Sequence, residues 1–257
     1  MLIHSRSNNK IKHLRGLAQS KQRQAAQEFV LEGPQLLGEA LQAGYELRQL
    51  FCLTDHERPS WAKQAKECFE LPTDLMAYAS SLKSAPSAIG ILGLRQPQAN
   101  LHRRPGWLVT ENLQDPGNFG ALLRLADAMG WRGILALGEH PDPFQAKVLR
   151  GSMGSALRLP VQPLSLAELP HWQAKGWTLV CTRAQAPIQS TNWPVPAQVL
   201  LALGHEGQGL SAALLALAQQ ELAIPMQPGV DSLNVVTAAA MLVHEATRQW
   251  PERSVTP

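Results

Sequence analysis

The sequence predicts an α/β protein with a parallel sheet in its larger, C-terminal part and a small α/β unit before it. Three observations carry that expectation. Strand-like and helix-like segments alternate along the chain. Trp177–Thr182 (WTLVCT) and Val199–Leu203 (VLLAL) are continuous apolar runs, as in parallel strands covered on both faces. Residues 95–106 (RQPQANLHRRPG) are polar, hold two prolines and lack any hydrophobic period, which divides the chain in two.

The elements follow in order. Residues 1–27 carry Arg6, Lys10, Lys12, Arg15, Lys21 and Arg23 and no acid, so they read as a basic N-terminal extension. Ile11, Leu14 and Leu17 fall at helical spacing within it. Two readings stand: a segment that neutralises phosphates, or the solvated face of a helix. Glu28–Gly33 (EFVLEG) predicts a strand, and Pro34 opens a helix to about Ala43, with proline in the tolerated first turn. Leu47–Leu53 alternates like a strand, 57–67 and 73–82 read as helices, and Ala88–Leu94 as a strand. Residues 28–95 therefore form the small unit, 96–106 a linker and 107–257 the larger domain. In that domain Trp107–Glu111 and Gly133–Leu137 read as strands, and 118–130, 143–151, 165–174 and 211–220 as helices. A short strand, Leu222–Pro225, precedes a long helix over 232–247.

Composition excludes several classes. The 257 residues are 45% hydrophobic and 17% charged, the balance of a folded globular protein. No apolar run reaches the ~18 residues of a membrane span. The polar, basic start lacks the apolar core of a secretory signal. Cys52, Cys68 and Cys181 are far apart and form neither CxxC nor a zinc spacing, so reduced thiols, a cytoplasmic protein and no metal are expected. The net charge of +3 is modest, with a second basic cluster at His102-Arg103-Arg104.

Ligands of open α/β sheets sit beyond the carboxyl ends of the strands, and glycine-rich corners follow the predicted strands. The first is DPGNFGALLRLADAMG (115–130). Phe119, Leu122, Leu123, Ala126 and Met129 share one helix face and Asn118 is placed to cap it. Arg124 lies off that face, in a stripe of Gly117, Gly120, Ala121 and Ala128. It reads either as a surface partner of Asp127 at i,i+3 or as a group facing something large. The second corner is LGHEGQGLS (203–211). Its G-x-x-G-x-G order is not the dinucleotide fingerprint, and the chain holds no P-loop. The third is IPMQPGVDSLNVV (224–236), where Ser232 or Asp231 caps a helix that is apolar almost all round. A fourth segment, KVLRGSMGSALRLPV (147–161), crowds small residues between Lys147, Arg150 and Arg158.

In this order N-F-G-x-x-x-R, R-G-S-M-G-x-x-x-R-L-P-V, L-G-x-E-G-x-G-L-S and I-P-M-x-x-x-V-x-S-L-N-V resemble the SpoU (TrmH-type) RNA 2′-O-ribose methyltransferases of the SPOUT superfamily, most of all the 23S rRNA branch. F-V-L-E-G-P-x-L-L-x-E-A-L (29–41) is similar to the family's small RNA-binding module. The resemblance implies a deep trefoil knot at the C-terminus, S-adenosylmethionine as methyl donor and a homodimer. It implies donor contacts at Gly204, Ile224 and Leu233, with Met226 and Thr182 beside them. Arg124 would activate or orient the ribose hydroxyl, Asn118 would hold the ribose or shape its loop, and Glu206, Ser232 and Asn234 would complete a polar rim. RNA contacts are expected at Lys10, Lys12, Arg15 and Arg150. The substrate implied is rRNA, with tRNA as the rival, and a non-catalytic RNA-binding protein of the same fold as a further alternative.

Overall fold

A computed structural model describes residues 1–204, 207–230 and 232–250. The chain divides into two compact units, residues 1–96 with 142–157, and residues 97–141 with 158–257.

The first unit opens with α1 (Asn9–Gly16) and α2 (Ser20–Ala26). β1 (Glu28–Glu32), α3 (Pro34–Gln42), β2 (Leu47–Leu53), β3 (Glu67–Leu71), α4 (Thr73–Ala79) and β4 (Ala88–Gly93) follow. Its sheet runs β1-β4-β2-β3, with β4 antiparallel to both neighbours and β2 parallel to β3. The helix expected over 57–67 is absent. A 3-10 turn, Ser60–Gln64, leads into β3 instead. Only Glu67 of that span enters β3, whose pairing with β2 buries Phe69 and Leu71. Residues 1–27 are not an appended extension either. Ile3, Ile11, Leu14 and Leu17 are buried in one cluster with Phe51, Phe69 and Ile89.

Arg23 is 3% exposed and reaches no solvent phosphate. Its Nη1 donates to the carbonyls of Leu17 and Ala18 at 2.9 and 2.8 Å, and Nη2 donates to Asp142 Oδ2 at 2.6 Å. Segment 142–157 therefore packs in this unit. Phe144 lies against Phe29 with ring centres 4.8 Å apart. The Tyr45 hydroxyl sits 3.1 Å from the Arg95 carbonyl and 3.2 Å from that of Leu157, and burial pushes its pKa up to about 12.

The chain continues with β5 (Gly106–Glu111), α5 (Pro116–Ala128), β6 (Ile134–Leu137), α6 (Ala146–Gly151, within the first unit) and β7 (Val161–Leu164). Then come α7 (Leu169–Ala174), β8 (Thr178–Thr182), β9 (Ile188–Gln189), β10 (Val199–Leu203), α8 (Ala212–Leu215), β11 (Gln220–Ala223) and α9 (Val235–Gln249). The second unit's seven-stranded sheet runs β7-β6-β5-β10-β8-β11-β9, every pair parallel. β5 and β10 are buried along their whole length at its centre, β10 as its continuous apolar run requires. β7 escaped the sequence reading because VQPL is short and holds Pro163, which an edge strand tolerates. The helix expected over 211–220 shrinks to α8, since β11 begins at Gln220. Among the described residues no helix is long and apolar enough to cross a membrane.

Candidate active site

Because the strands are parallel, the loops after β5, β8, β10 and β11 leave one edge of the sheet, and three of the four frame a cavity of about 370 Å³. Thr182 ends β8, Gly204, Gly207 and Gly209 come from the loop after β10, Ile224 and Met226 from the loop after β11, and Ser232 and Leu233 lead into α9. All five residues nominated for the donor, Gly204, Ile224, Leu233, Met226 and Thr182, thus line one space.

Gly204 shows why glycine stands there. A Cβ on it would lie 2.2 Å from the Gly209 carbonyl carbon and 2.6 Å from the Leu210 nitrogen, so the two limbs of the loop touch through backbone. Gly209, at φ +68°, occupies the left-handed region that glycine enters without strain. The Thr182 hydroxyl donates to the Ala202 carbonyl at 2.9 Å, which fixes it across to β10. The walls combine backbone-lined glycines with the apolar side chains of Leu222, Ile224, Leu233 and Val235. That mixture, and the volume, suit a flat nucleoside with a polar tail.

Two helix N-termini meet next to Ser232 and Leu233 of the cavity wall. Asp115, not Asn118, caps α5: its Oδ1 accepts from the Asn118 N–H at 2.8 Å, with Pro116 in the first turn. Asn234, rather than Ser232, caps α9, accepting from the Val236 N–H at 2.8 Å. Asp231, the other cap expected, lies outside the described residues, as does Glu206. The cap shifts inward because Leu233 turns into the cavity wall before the helix begins. With its acceptor spent on the cap, Asn234 donates through Nδ2 to Asn118 Oδ1 at 3.3 Å, joining the two starts. Ser232 is exposed at the cavity.

Arg124 is exposed on α5. Its surface reading fails on its proposed partner. The Asp127 carboxylate is taken by Arg103 at 2.7 Å and Arg158 at 2.8 Å. Arg158, from the fourth motif, is thereby a structural tether.

The basic residues nominated for RNA lie in the first unit. Lys10 pairs with Glu67 at 2.5 Å, and Lys12 is exposed. The guanidinium groups of Arg15 and Arg6 lie 4.0 and 4.5 Å from the centre of the Tyr78 ring. Arg150 donates to Ser81 Oγ at 2.9 Å.

Two groups escaped sequence reasoning. Glu111 closes β5 and is 6% exposed; the signal was a lone carboxylate ending an apolar strand. His140, exposed after β6, stacks its ring on Phe119 at 5.7 Å and 19°, and nothing in the sequence announced that contact.

Residues 106–244 match the SpoU rRNA Methylase family, and residues 8–90 match the MRM3-like substrate binding domain. A protein of Synechocystis named an uncharacterized tRNA/rRNA methyltransferase is 36% identical over an alignment of 262 positions that covers 96% of this chain and 93% of that protein. The 23S rRNA (guanosine(2553)-2′-O)-methyltransferase of Bacillus subtilis is 29% identical, covering 94% of this chain and 97% of its own. Among solved structures, an AdoMet-bound rRNA methyltransferase from Sinorhizobium meliloti aligns with a TM-score of 0.86 at 25% identity, covering 98% of this chain and 99% of that one. The sheet order, the two motif loops on one cavity and these matches lead to one conclusion: the chain belongs to the SpoU rRNA methylase family.

Proposed function

We propose that this protein methylates a ribose 2′-hydroxyl of ribosomal RNA, with S-adenosylmethionine as donor. The observation that carries the reading is the cavity after β8, β10 and β11, whose mouth adjoins the joined starts of α5 and α9. The names of the relatives favour rRNA over tRNA: the Bacillus subtilis protein acts on 23S rRNA, as does a Streptomyces viridochromogenes relative named for uridine 2479.

The donor supplies a methyl group already activated by the positive charge on its sulfur. The chain's work is therefore to bind, orient and stabilise. The backbone of Gly204 and Gly209 and the side chains of Ile224 and Leu233 hold the donor, with Met226 and Thr182 beside them. Asn118 and Asn234 brace the rim and Ser232 offers a hydroxyl to it. Glu206, which the resemblance assigns to the same polar set, lies outside the described residues. A ribose hydroxyl is a weak nucleophile at neutral pH, so negative charge must be stabilised on its oxygen as the proton departs. Arg124 meets that need as a permanent cation, since a guanidinium does not give up its proton near neutrality. It orients the hydroxyl and stabilises the developing oxyanion rather than acting as a base.

The first unit supplies RNA contacts through Lys10, Lys12, Arg15 and Arg150, where phosphate neutralisation makes binding salt-dependent. The reading includes a homodimer, and Met241 on α9, 47% exposed, offers apolar surface for it. The test supplies methyl-labelled donor with either 23S rRNA or tRNA and maps the label. Label on a ribose 2′-oxygen of rRNA is expected. Label on tRNA alone, or no donor binding by calorimetry, would overturn the reading.

A further inference from the structure

We infer that Glu111 and Ser211 form a latch holding the glycine loop after β10 in the shape that binds the donor, which makes Glu111 a positioning residue. The inference rests on the reading of that cavity as the donor site. Glu111 ends the strand between β6 and β10 and is 6% exposed. A carboxylate so placed has lost most of its hydration, and it is tolerated only where its oxygens are occupied. One residue occupies both. The Ser211 N–H donates to Oε2 at 2.7 Å, and the Ser211 hydroxyl donates to Oε1 at 2.6 Å. The same hydroxyl oxygen accepts from the Leu214 N–H at 3.2 Å, so it also caps α8. With its proton on Glu111 and a lone pair on Leu214, Ser211 is confined to one rotamer.

The position of Ser211 gives the latch its consequence. It directly follows the loop whose Gly204, Gly207 and Gly209 line the cavity. The other end of that loop leaves Leu203, which pairs with Thr110 in the sheet. Both ends of the loop are thus tied to the last two residues of β5, one through the ladder and one through a carboxylate. Between those ties the limbs are pinched until the backbones of Gly204 and Gly209 touch. Releasing the Ser211 end lets that pinch open and withdraws Gly207 and Gly209 from the cavity wall. A carboxamide replaces the carboxylate only poorly: with its oxygen on the Ser211 N–H, its NH₂ faces the Ser211 hydroxyl, which must turn its proton away to accept, and both bonds lose their charge assistance.

The test uses the full chain with Glu111→Gln, Ser211→Ala, Ser211→Thr and the double substitution that joins Glu111→Gln to Ser211→Ala. Hydrogen exchange without donor should show the amides over 207–214 opening faster in Glu111→Gln and Ser211→Ala, with those of β6 unmoved. S-adenosylmethionine Kd, read by calorimetry, should rise about tenfold or more in each, the loss expected for a charge-assisted hydrogen bond. The double substitution should be no weaker than the weaker single one, and Ser211→Thr should recover most of the affinity lost in Ser211→Ala. KM for the donor should rise more than kcat falls, a split that general destabilisation does not produce. Additive losses, or unchanged exchange and affinity in a folded single variant, would overturn the latch. Should Glu111→Gln fail to fold, Ser211→Ala and Ser211→Thr decide the matter alone. If the wild-type chain binds no donor, the reading of the cavity falls, while the exchange measurement still decides the latch.

Discussion

Gly204→Ala isolates the backbone contact that shapes the cavity we assign to the donor. Gly204 does not sit in the left-handed region, so alanine is allowed there by its dihedrals and the cost is contact alone. The added methyl would meet the Gly209 carbonyl carbon at 2.2 Å, its oxygen at 2.4 Å and the Leu210 nitrogen at 2.6 Å. Carbon atoms pack at about 3.5–4.0 Å, so one limb must retreat by more than about 1 Å. The obstacle is backbone, anchored by buried Leu210 and the Ser211–Glu111 bonds, and no side chain can swing aside. Overpacking of this kind costs about 1–3 kcal/mol, or roughly 5- to 150-fold in an equilibrium constant. The loop lies at the edge of the sheet, so the strain is relieved by opening it rather than by unfolding. The expected outcome is a donor Kd raised by that factor, measured by calorimetry, with the melting transition nearly unmoved. A folded variant that binds donor with wild-type affinity would refute the claim that the Gly204–Gly209 contact shapes the site.

Other expectations follow from the same contacts. Arg124→Ala should cut methyl transfer by about a hundredfold or more, the scale of losing one oxyanion-stabilising group. Its donor affinity and melting should stay near wild type because the side chain is exposed. Arg23→Ala leaves Asp142, whose side chain is 14% exposed, without its cation and two carbonyls without donors. It should cost about 3–5 kcal/mol, read by urea unfolding of the full chain. Burial pushes the Cys181 thiol up to about 12 and that of Cys52 to about 11, from an ordinary 9.0. The folded chain keeps protons that the unfolded chain releases, so their stabilisation is complete below pH 9 and is lost as pH rises through 11 to 12. The slope approaches ~1.4 kcal/mol per pH unit for each thiol. Urea midpoints followed from about pH 8 upward should fall, and fall less steeply in Cys181→Ala.

What the sequence disclosed follows from how each signal is written. β8 and β10 were legible because a strand covered on both faces is dominated by apolar residues, as WTLVCT and VLLAL are. β3 and β7 were not, because their placement depends on pairing with distant strands rather than on their own residues. Ile11, Leu14 and Leu17 were noticed at helical spacing, yet only the structure shows them meeting Phe51 and Phe69 in a core. The residues that line the cavity were found through motif resemblance, which works because backbone-lined turns demand glycine at fixed places. The caps were misassigned by a few residues, since Asp115, Asn118, Ser232 and Asn234 are all competent cap formers and tertiary contacts choose among them. The Asn118–Asn234 and Glu111–Ser211 bonds join residues a hundred or more positions apart, and no local pattern encodes them.

The residence of segment 142–157 in the first unit bears on how the chain is made. The polypeptide passes between the units at 96/97, again at 141/142 and again at 157/158. During synthesis the first unit therefore stays incomplete after its own ninety-odd residues have emerged, with Arg23 lacking its anion and Phe29 lacking a neighbour. Completion waits until β5, α5 and β6 have followed and residue 157 has cleared the exit. The first unit is consequently completed only after part of the second has been made, and an exchange of that unit between relatives would have to transplant both of its pieces.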